Sequence, residues 1–164
     1  MDVIIAPHCD DEVIGAYEVL KNNNNEIVVI YSTCNDDKRM KHARKLQRFF
    51  SSIKAQVRSD LVPEYLLNRK HTFYAPDPST EIHPLHRKWG FCLEEMARNG
   101  YNVIFYTTLM NTPYIHEVAT WQDKRQILNR VYSDQKNLWK FDYKYFLFEG
   151  YTKWIFPKTE EVNK

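Results

Sequence analysis

Short apolar runs alternate with amphipathic stretches along most of the chain. Residues 3–6 and 27–32 are continuous, largely β-branched runs, a pattern typical of strands that are buried on both faces. Between them, residues 13–21 place Val13, Tyr17 and Leu20 at helical spacing, which predicts one apolar helix face. The chain therefore begins as a strand, a helix and a second strand.

The same alternation predicts the remaining elements. They are a helix over 37–50, a short strand over 56–62, a strand over 71–75, a helix over 84–99 closed by Gly100, a strand over 103–107, and a helix over 121–132. Aromatic residues then alternate with charged ones over 139–145, which predicts a strand or hairpin. Regular alternation of this kind is the signature of consecutive βα units.

Strands separated by helices predict an α/β fold with a mostly parallel sheet and helices on both faces. We expect a Rossmann-like three-layer arrangement and, at 164 residues, a single domain over 1–164. In open parallel sheets, ligands bind outside the carboxyl ends of the strands. Loops that follow predicted strands are therefore the places to look for chemistry.

Composition and charge exclude several classes of protein. Hydrophobic residues make up 43% and charged residues 27% of the chain, as in soluble globular proteins, and no apolar run approaches the length of a membrane span. A net charge of only +2 provides no strong field, which argues against nucleic acid as a partner. The aromatic tail over 139–156 leaves two uses open, which are stacking on sugars or bases and covering the core, with a homo-oligomer contact as part of the second.

The cysteines and the first residues bear on the compartment. Cys9, Cys34 and Cys92 form an odd set without CxxC spacing, which argues against a disulfide framework and against a thiolate zinc site. The first strand starts at once, without the basic and apolar segments of a secretory signal. We therefore expect a reducing, cytoplasmic location.

The first candidate site follows the first strand, in the run PHCDDE. His8 and one of the two aspartates, Asp10 or Asp11, could supply two ligands to a catalytic zinc ion, which usually takes three protein ligands and keeps one open position. The other aspartate could then accept a proton from water. The alternative is that these acids only stabilise the first turn of a helix, where carboxylates favour the positive end of the dipole.

The second candidate site is the pair His83 and His86, again between a strand and a helix. With Pro84 near the first helical turn, the two histidines lie on roughly one helix face. One could complete the metal site, while the other donates to the oxygen of a developing tetrahedral intermediate. The alternative is a pair of ordinary surface histidines, since this spacing is short and common.

Taken together, the segments PHCDDEVIGA and YAPDPSTEIHPLHRKWG resemble the PIG-L/LmbE family of zinc-dependent deacetylases, whose motifs read roughly AHPDDE and HPDH. Carried over position by position, the resemblance implies His8, Asp11 and His86 as zinc ligands. It implies Asp10 as general base and His83 as the electrophilic or acid group. Other divalent transition metals also suit two histidines and one carboxylate.

The resemblance implies hydrolysis of an amide, with release of an acetyl group from a small N-acetylated substrate such as an amino sugar or its conjugate. Arg39, in a slot where the family often has a substrate-facing arginine, is a candidate for binding that substrate. Weaker likeness covers Lys124, the run Tyr132 to Gln135, and the run Phe148 to Tyr151. The chain departs from the motifs at Cys9, which replaces a proline, and at Leu85, which replaces an acid that can orient a histidine.

Two other functions stay open at this stage. In the first, the chain is a sugar- or nucleotide-binding module whose metal site has decayed. The main reason to consider it is Leu85, which replaces the acid of the second motif. In the second, it is a metal-dependent hydrolase of another bond, although the single set of His and Asp clusters disfavours a two-metal mechanism. The presence of all five motif residues favours the deacetylase.

Overall fold

The computed structural model describes residues 1–22, 24–32, 37–109, 115–135, 137 and 144–153. Its strands are β1 (Asp2–Ala6), β2 (Ile27–Tyr31), β3 (Ile53–Arg58), β4 (Thr72–Pro76), β5 (Asn102–Tyr106), β6 (Ile115–Glu117) and β7 (Phe148–Lys153). Its α-helices are α1 (Asp11–Asn22), α2 (Asp37–Leu46), α3 (Pro84–Arg98), α4 (Trp121–Val131) and α5 (Lys144–Leu147), with short 3-10 turns at Glu64–Leu66 and Ser133–Gln135. The predicted α/β class is confirmed.

The described strands form one seven-stranded sheet in the order β3-β2-β1-β4-β5-β7-β6. The pairs from β3 to β5 are all parallel, whereas β7 runs antiparallel to both β5 and β6. The sheet is therefore mostly parallel, as expected, with an antiparallel edge that the sequence pattern did not predict. Parallel neighbours need a crossover segment, and the helices between the strands provide it.

Most predicted elements lie within a few residues of the observed ones, and three predictions are wrong in part. The third strand begins at Ile53 rather than at residue 56, and α2 ends at Leu46, with turns following it. In the tail, residues 138–143 lie outside the described residues, while Lys144 and Tyr145 are helical rather than extended. In this short helix the side chain of Phe146 packs into the core, which the alternating pattern of the sequence did not indicate.

Apolar side chains pack in two clusters, and alternate residues of the central strands belong to each. Ile4 and Val29 join the cluster that contains α1, α2 and α4 side chains. Val3 and Ile5 join the other cluster, in which Trp89 and Leu93 of α3 pack. The continuous apolar runs of β1 and β2 are explained by this burial on both sides.

Helix α1 is interrupted at Ala16, whose φ of −137° and ψ of 29° are not helical. Around the interruption, the backbone N–H groups of Tyr17 and Glu18 donate to the two oxygens of Glu149, at 2.8 and 3.1 Å. The Lys124 ammonium donates to the Ile14 carbonyl at 2.7 Å. A buried acid and a buried base thus satisfy backbone groups beside the break in the helix.

Lys124 and Glu149 also bind each other. Their Nζ and Oε1 atoms are 2.8 Å apart, and both side chains are fully buried. Burial lowers the pKa of Lys124, although the charge of Glu149 opposes that shift. The pair ties α4 and β7 to the middle of α1, and α1 begins with the first motif.

Two further observations concern the cysteines and membranes. Cys9 is buried and disulfide-bonded, a bond that the cysteine pattern did not predict, while Cys92 is free and exposed. Among the described residues, no helix is long and apolar enough to span a bilayer. The cytoplasmic location remains a prediction.

We expect Lys124→Met to lower the free energy of unfolding by about 3–5 kcal/mol, because it leaves the Glu149 carboxylate buried without its cation. Lys21→Met is the matched control, since Lys21 donates to Asp123 at 2.6 Å across the exposed surface of α1 and α4. That exposed pair contributes less than about 1 kcal/mol. Urea denaturation of the three proteins measures both effects, and equal losses in the two variants would contradict the assigned role of Lys124.

Candidate metal centre

The two motifs meet because β1 and β4 are adjacent parallel strands. The chain after β1 contains His8, Asp10 and Asp11, and the chain after β4 leads to His83 and His86. Strand order reverses between β1 and β4, since β2 and β3 lie on one side of this pair and β5 on the other. Crevices at such a reversal, at the carboxyl ends of the strands, are the usual ligand sites of open α/β sheets.

Three potential ligand atoms form a nearly equilateral triangle. The distances are 3.2 Å from His8 Nδ1 to Asp11 Oδ2, 2.9 Å from His8 Nδ1 to His86 Nε2, and 3.1 Å from His86 Nε2 to Asp11 Oδ2. A tetrahedral metal ion with bonds of about 2.0–2.1 Å separates its ligand atoms by about 3.3 Å. The triangle therefore has the size that such an ion requires.

His83 is the third histidine of the cluster. Ligand atoms of His8, His83 and His86 all lie within 4.8 Å of one another, so these three also form a potential metal-binding group. This group is looser than the triangle that includes Asp11. In addition, His83 Nδ1 accepts a hydrogen bond from the Leu85 backbone N–H at the start of α3, at 3.3 Å. The closer set of donors is therefore His8, Asp11 and His86, with His83 beside it.

Asp11 is fixed on several sides. The His8 backbone N–H donates to its Oδ2 at 2.7 Å, in addition to the contacts with the two imidazoles. Burial alone would raise the pKa of Asp11, but the charge of His86 and hydrogen bonds from His8 and His86 outweigh it, so the pKa lies well below its ordinary value. Asp11 is thus an ionised, preorganised oxygen donor.

His86 lies between two carboxylates. Its Nε2 faces Asp11, and its Nδ1 lies 2.9 Å from Glu81 Oε2. Burial would lower the pKa of His86, but the charges and hydrogen bonds of Asp11 and Glu81 raise it to about 10. The two acids therefore favour the protonated form of His86.

Asp10 lies beside the triangle rather than in it. It is buried, lines the same cavity, and its backbone N–H donates to Glu12 Oε2 at 3.0 Å. Burial, together with the negative charges of Asp11 and Glu12, raises the pKa of Asp10 well above its ordinary value, whereas Arg39 and His86 lower it. A carboxyl group perturbed in this way is suited to accepting and returning a proton.

Glu12 holds the first motif in place from the side that faces away from the cavity. It is fully buried and accepts hydrogen bonds from the Tyr31 hydroxyl at 3.1 Å, from the Tyr132 hydroxyl and from the Asp10 N–H. Burial raises the pKa of Glu12 to about 7. It does not line the cavity, so its role is to hold the loop that carries Asp10 and Asp11.

Glu81 and Gln135 lie beside the site but were not among the predicted site residues. Glu81 contacts His86 and Thr108, and Gln135 donates from Nε2 to the Cys9 carbonyl at 3.1 Å. The only signals in the sequence were an acid five residues before His86 and a weak likeness around Gln135. Neither signal is specific, because Thr108 holds Glu81 in place and Gln135 contacts the chain at Cys9, and both contacts join segments distant in the sequence.

A cavity of about 540 Å³ opens over the triangle. Besides the motif residues, its wall includes Arg39 from the start of α2, Gln135, and the apolar side chains of Ile14, Leu109 and Tyr145. The volume is in the range of small-molecule sites. All six residues that the motifs and the family resemblance single out, including Arg39, therefore lie on one cavity.

We expect Glu12→Gln to change how stability depends on pH. Because the folded-state pKa of Glu12 is raised from 4.5 to about 7, the wild type loses stability as pH rises through that window, by up to about 3 kcal/mol. Glutamine keeps an acceptor for the Asp10 N–H and does not titrate. The free energy of unfolding of the variant should therefore rise relative to that of the wild type between pH 4.5 and pH 8.

Urea denaturation in the presence of a chelator, at pH 4.5 and pH 8, measures this difference. Glu117→Gln on β6 is the control, since Glu117 is exposed. A constant offset between Glu12→Gln and the wild type at both pH values would contradict the raised pKa.

Comparison with known proteins adds no assignment to this geometry. No protein-family profile, no curated protein and no solved structure matches the chain. The likeness to the PIG-L/LmbE family therefore rests mainly on residues 7–16 and 74–90.

Proposed function

We propose that this protein is a zinc-dependent hydrolase of the PIG-L/LmbE type that removes an acetyl group from a small N-acetylated molecule. The observation that carries the proposal is the triangle of His8 Nδ1, Asp11 Oδ2 and His86 Nε2, with sides of 2.9–3.2 Å. It opens onto a cavity large enough for a small molecule. The mostly parallel sheet with a site at its strand-order reversal also fits a Rossmann-like three-layer fold.

The donor set fits zinc. Two imidazoles and one carboxylate are a common ligand set for catalytic zinc, which leaves a fourth position open to the substrate. When bound, the ion would polarise the substrate carbonyl and make water a better nucleophile at neutral pH. Iron, cobalt or nickel would suit the same donors, so metal analysis of the purified protein must identify the ion.

Two residues of the chain would handle protons and charge during the reaction. Asp10, with its raised pKa, would accept a proton from the attacking water and could return it to the leaving amine. His83 lines the cavity, and the hydrogen bond from Leu85 to its Nδ1 leaves Nε2 for the substrate. It would donate to the carbonyl oxygen as negative charge develops there.

The substrate class follows from the family likeness and the cavity. An N-acetylated amino sugar, free or attached to a carrier, has polar groups for Arg39 and Gln135 and apolar ring faces for Tyr145. The alternative of a binding module with a decayed site is disfavoured, since the three donors are close together and two of them, Asp11 and His86, are buried. A decayed site would have no reason to retain that arrangement.

The test combines metal analysis with release of acetate from a panel of N-acetylated amino sugars and their conjugates. We expect about one zinc ion per wild-type chain. We expect His86→Ala to lose both metal and activity, and Asp10→Asn to keep the metal while losing activity by about 10²- to 10⁴-fold. His116→Ala is the control, because His116 is an exposed histidine on β6 that contacts Glu18 instead.

The outcomes separate the parts of the proposal. A wild-type protein that binds no zinc or other divalent metal would refute the hydrolase. Metal binding without acetate release from any member of the panel would leave the metal site and refute the substrate class. Asp10→Asn with full activity would refute the assigned base.

A further inference from the structure

We infer that Glu81 is the positioning residue of the metal centre, which fixes the orientation of His86 and determines which of its nitrogens faces the metal. The inference rests on the proposed metal site and adds a residue that neither motif contains. Glu81 lies in the connection between β4 and α3, five residues before His86. Both side chains are almost completely buried.

The contact between the two residues fixes a hydrogen on one nitrogen of His86, which leaves the other nitrogen for the metal. Glu81 Oε2 lies 2.9 Å from His86 Nδ1, and an ionised carboxylate only accepts hydrogen bonds. Nδ1 must therefore carry a hydrogen. A metal ion in the triangle would take the place of the Nε2 hydrogen of the protonated ring, so the imidazole would then present the lone pair of Nε2, the atom that faces Asp11 and His8.

Glu81 is itself held in place by Thr108, directly beyond β5. The Thr108 backbone N–H donates to Glu81 Oε1 at 2.5 Å, and the Thr108 hydroxyl lies 2.9 and 3.0 Å from the two oxygens. The carboxylate thus accepts from three donors on two sides. This arrangement links the end of β5 to a ligand on α3, across the β4 loop.

The second motif departs from the family pattern at position 85, and Glu81 supplies an acid to His86 from another position. Leu85 occupies the place where an acid would be expected, and its side chain packs against the apolar cluster of α3 and the central strands. The acid that contacts the metal-ligand histidine comes from four residues earlier in the chain. His86 therefore has an acidic partner although position 85 is leucine.

Glu81→Gln tests the inference with little change in shape. Glutamine has one acceptor oxygen for the three donors, so either Thr108 or His86 Nδ1 must face the amide NH₂ group. If the NH₂ group faces Nδ1, the imidazole hydrogen moves to Nε2 and blocks the metal. We expect the zinc affinity to fall by about 10- to 100-fold, as for other residues that orient metal ligands.

The measurement is the zinc dissociation constant of the purified full chain, by competition with a chromogenic chelator at one pH. Glu95→Gln is the matched control, because Glu95 is an exposed glutamate on α3 that contacts Asn99 and Arg98 and should leave the constant unchanged. Imidazole ¹⁵N spectra of the zinc-loaded wild type should show the His86 hydrogen on Nδ1. A purely structural role would lower stability without changing either readout.

Thr108→Val provides a second variant if Glu81→Gln does not fold. It removes the hydroxyl that holds both Glu81 oxygens while it keeps the backbone donor, so we expect a smaller loss of zinc affinity in the same direction. Unchanged zinc affinity in folded Glu81→Gln would overturn the inference, and so would a His86 hydrogen on Nε2. A wild type that binds zinc tightly but releases no acetate would refute only the proposed reaction, whereas a wild type without zinc affinity would refute both.

Discussion

The reversal of strand order between β1 and β4 is the constraint on which the site depends. At this point the chain leaves two adjacent parallel strands in opposite directions, towards β2 on one side and β5 on the other. The residues that follow β1 and those at the start of α3 lie in the gap between the diverging segments. Two motifs separated by more than seventy positions in the sequence therefore face each other without any long loop.

Charge inside this gap makes it suitable for a cation. Asp10, Asp11, Glu12 and Glu81 are all buried near one another, where the repulsion between like charges is screened less than in water. His86 offsets part of it by remaining protonated between Asp11 and Glu81. A divalent ion in the triangle would replace that proton and neutralise more of the surrounding charge, and metal binding would be coupled to proton release.

Buried polar pairs outside the gap keep its walls in position. The Lys124 and Glu149 pair satisfies backbone groups on both sides of the break at Ala16, so α1 can change direction and still be fully packed. Glu12 performs a comparable role at the start of the same helix, through Tyr31 and Tyr132. In both cases, the desolvation of a charged group is offset by several hydrogen bonds to one small region.

The sequence by itself determined the α/β class, the approximate position of most helices and strands, and the six candidate residues, because these depend on local periodicity and on short motifs. Only the tertiary structure decided the antiparallel edge of β6 and β7, the break in α1 and its repair by Lys124 and Glu149, the disulfide at Cys9, and the contact of Glu81 with His86. Most of these features depend on which distant segments pack together, and on which buried donors and acceptors must then find partners. Glu81 and His86 are only five residues apart, but Thr108, beyond β5, holds Glu81 in place. Local patterns carry no information about those pairings, whereas strand order and packing determine them.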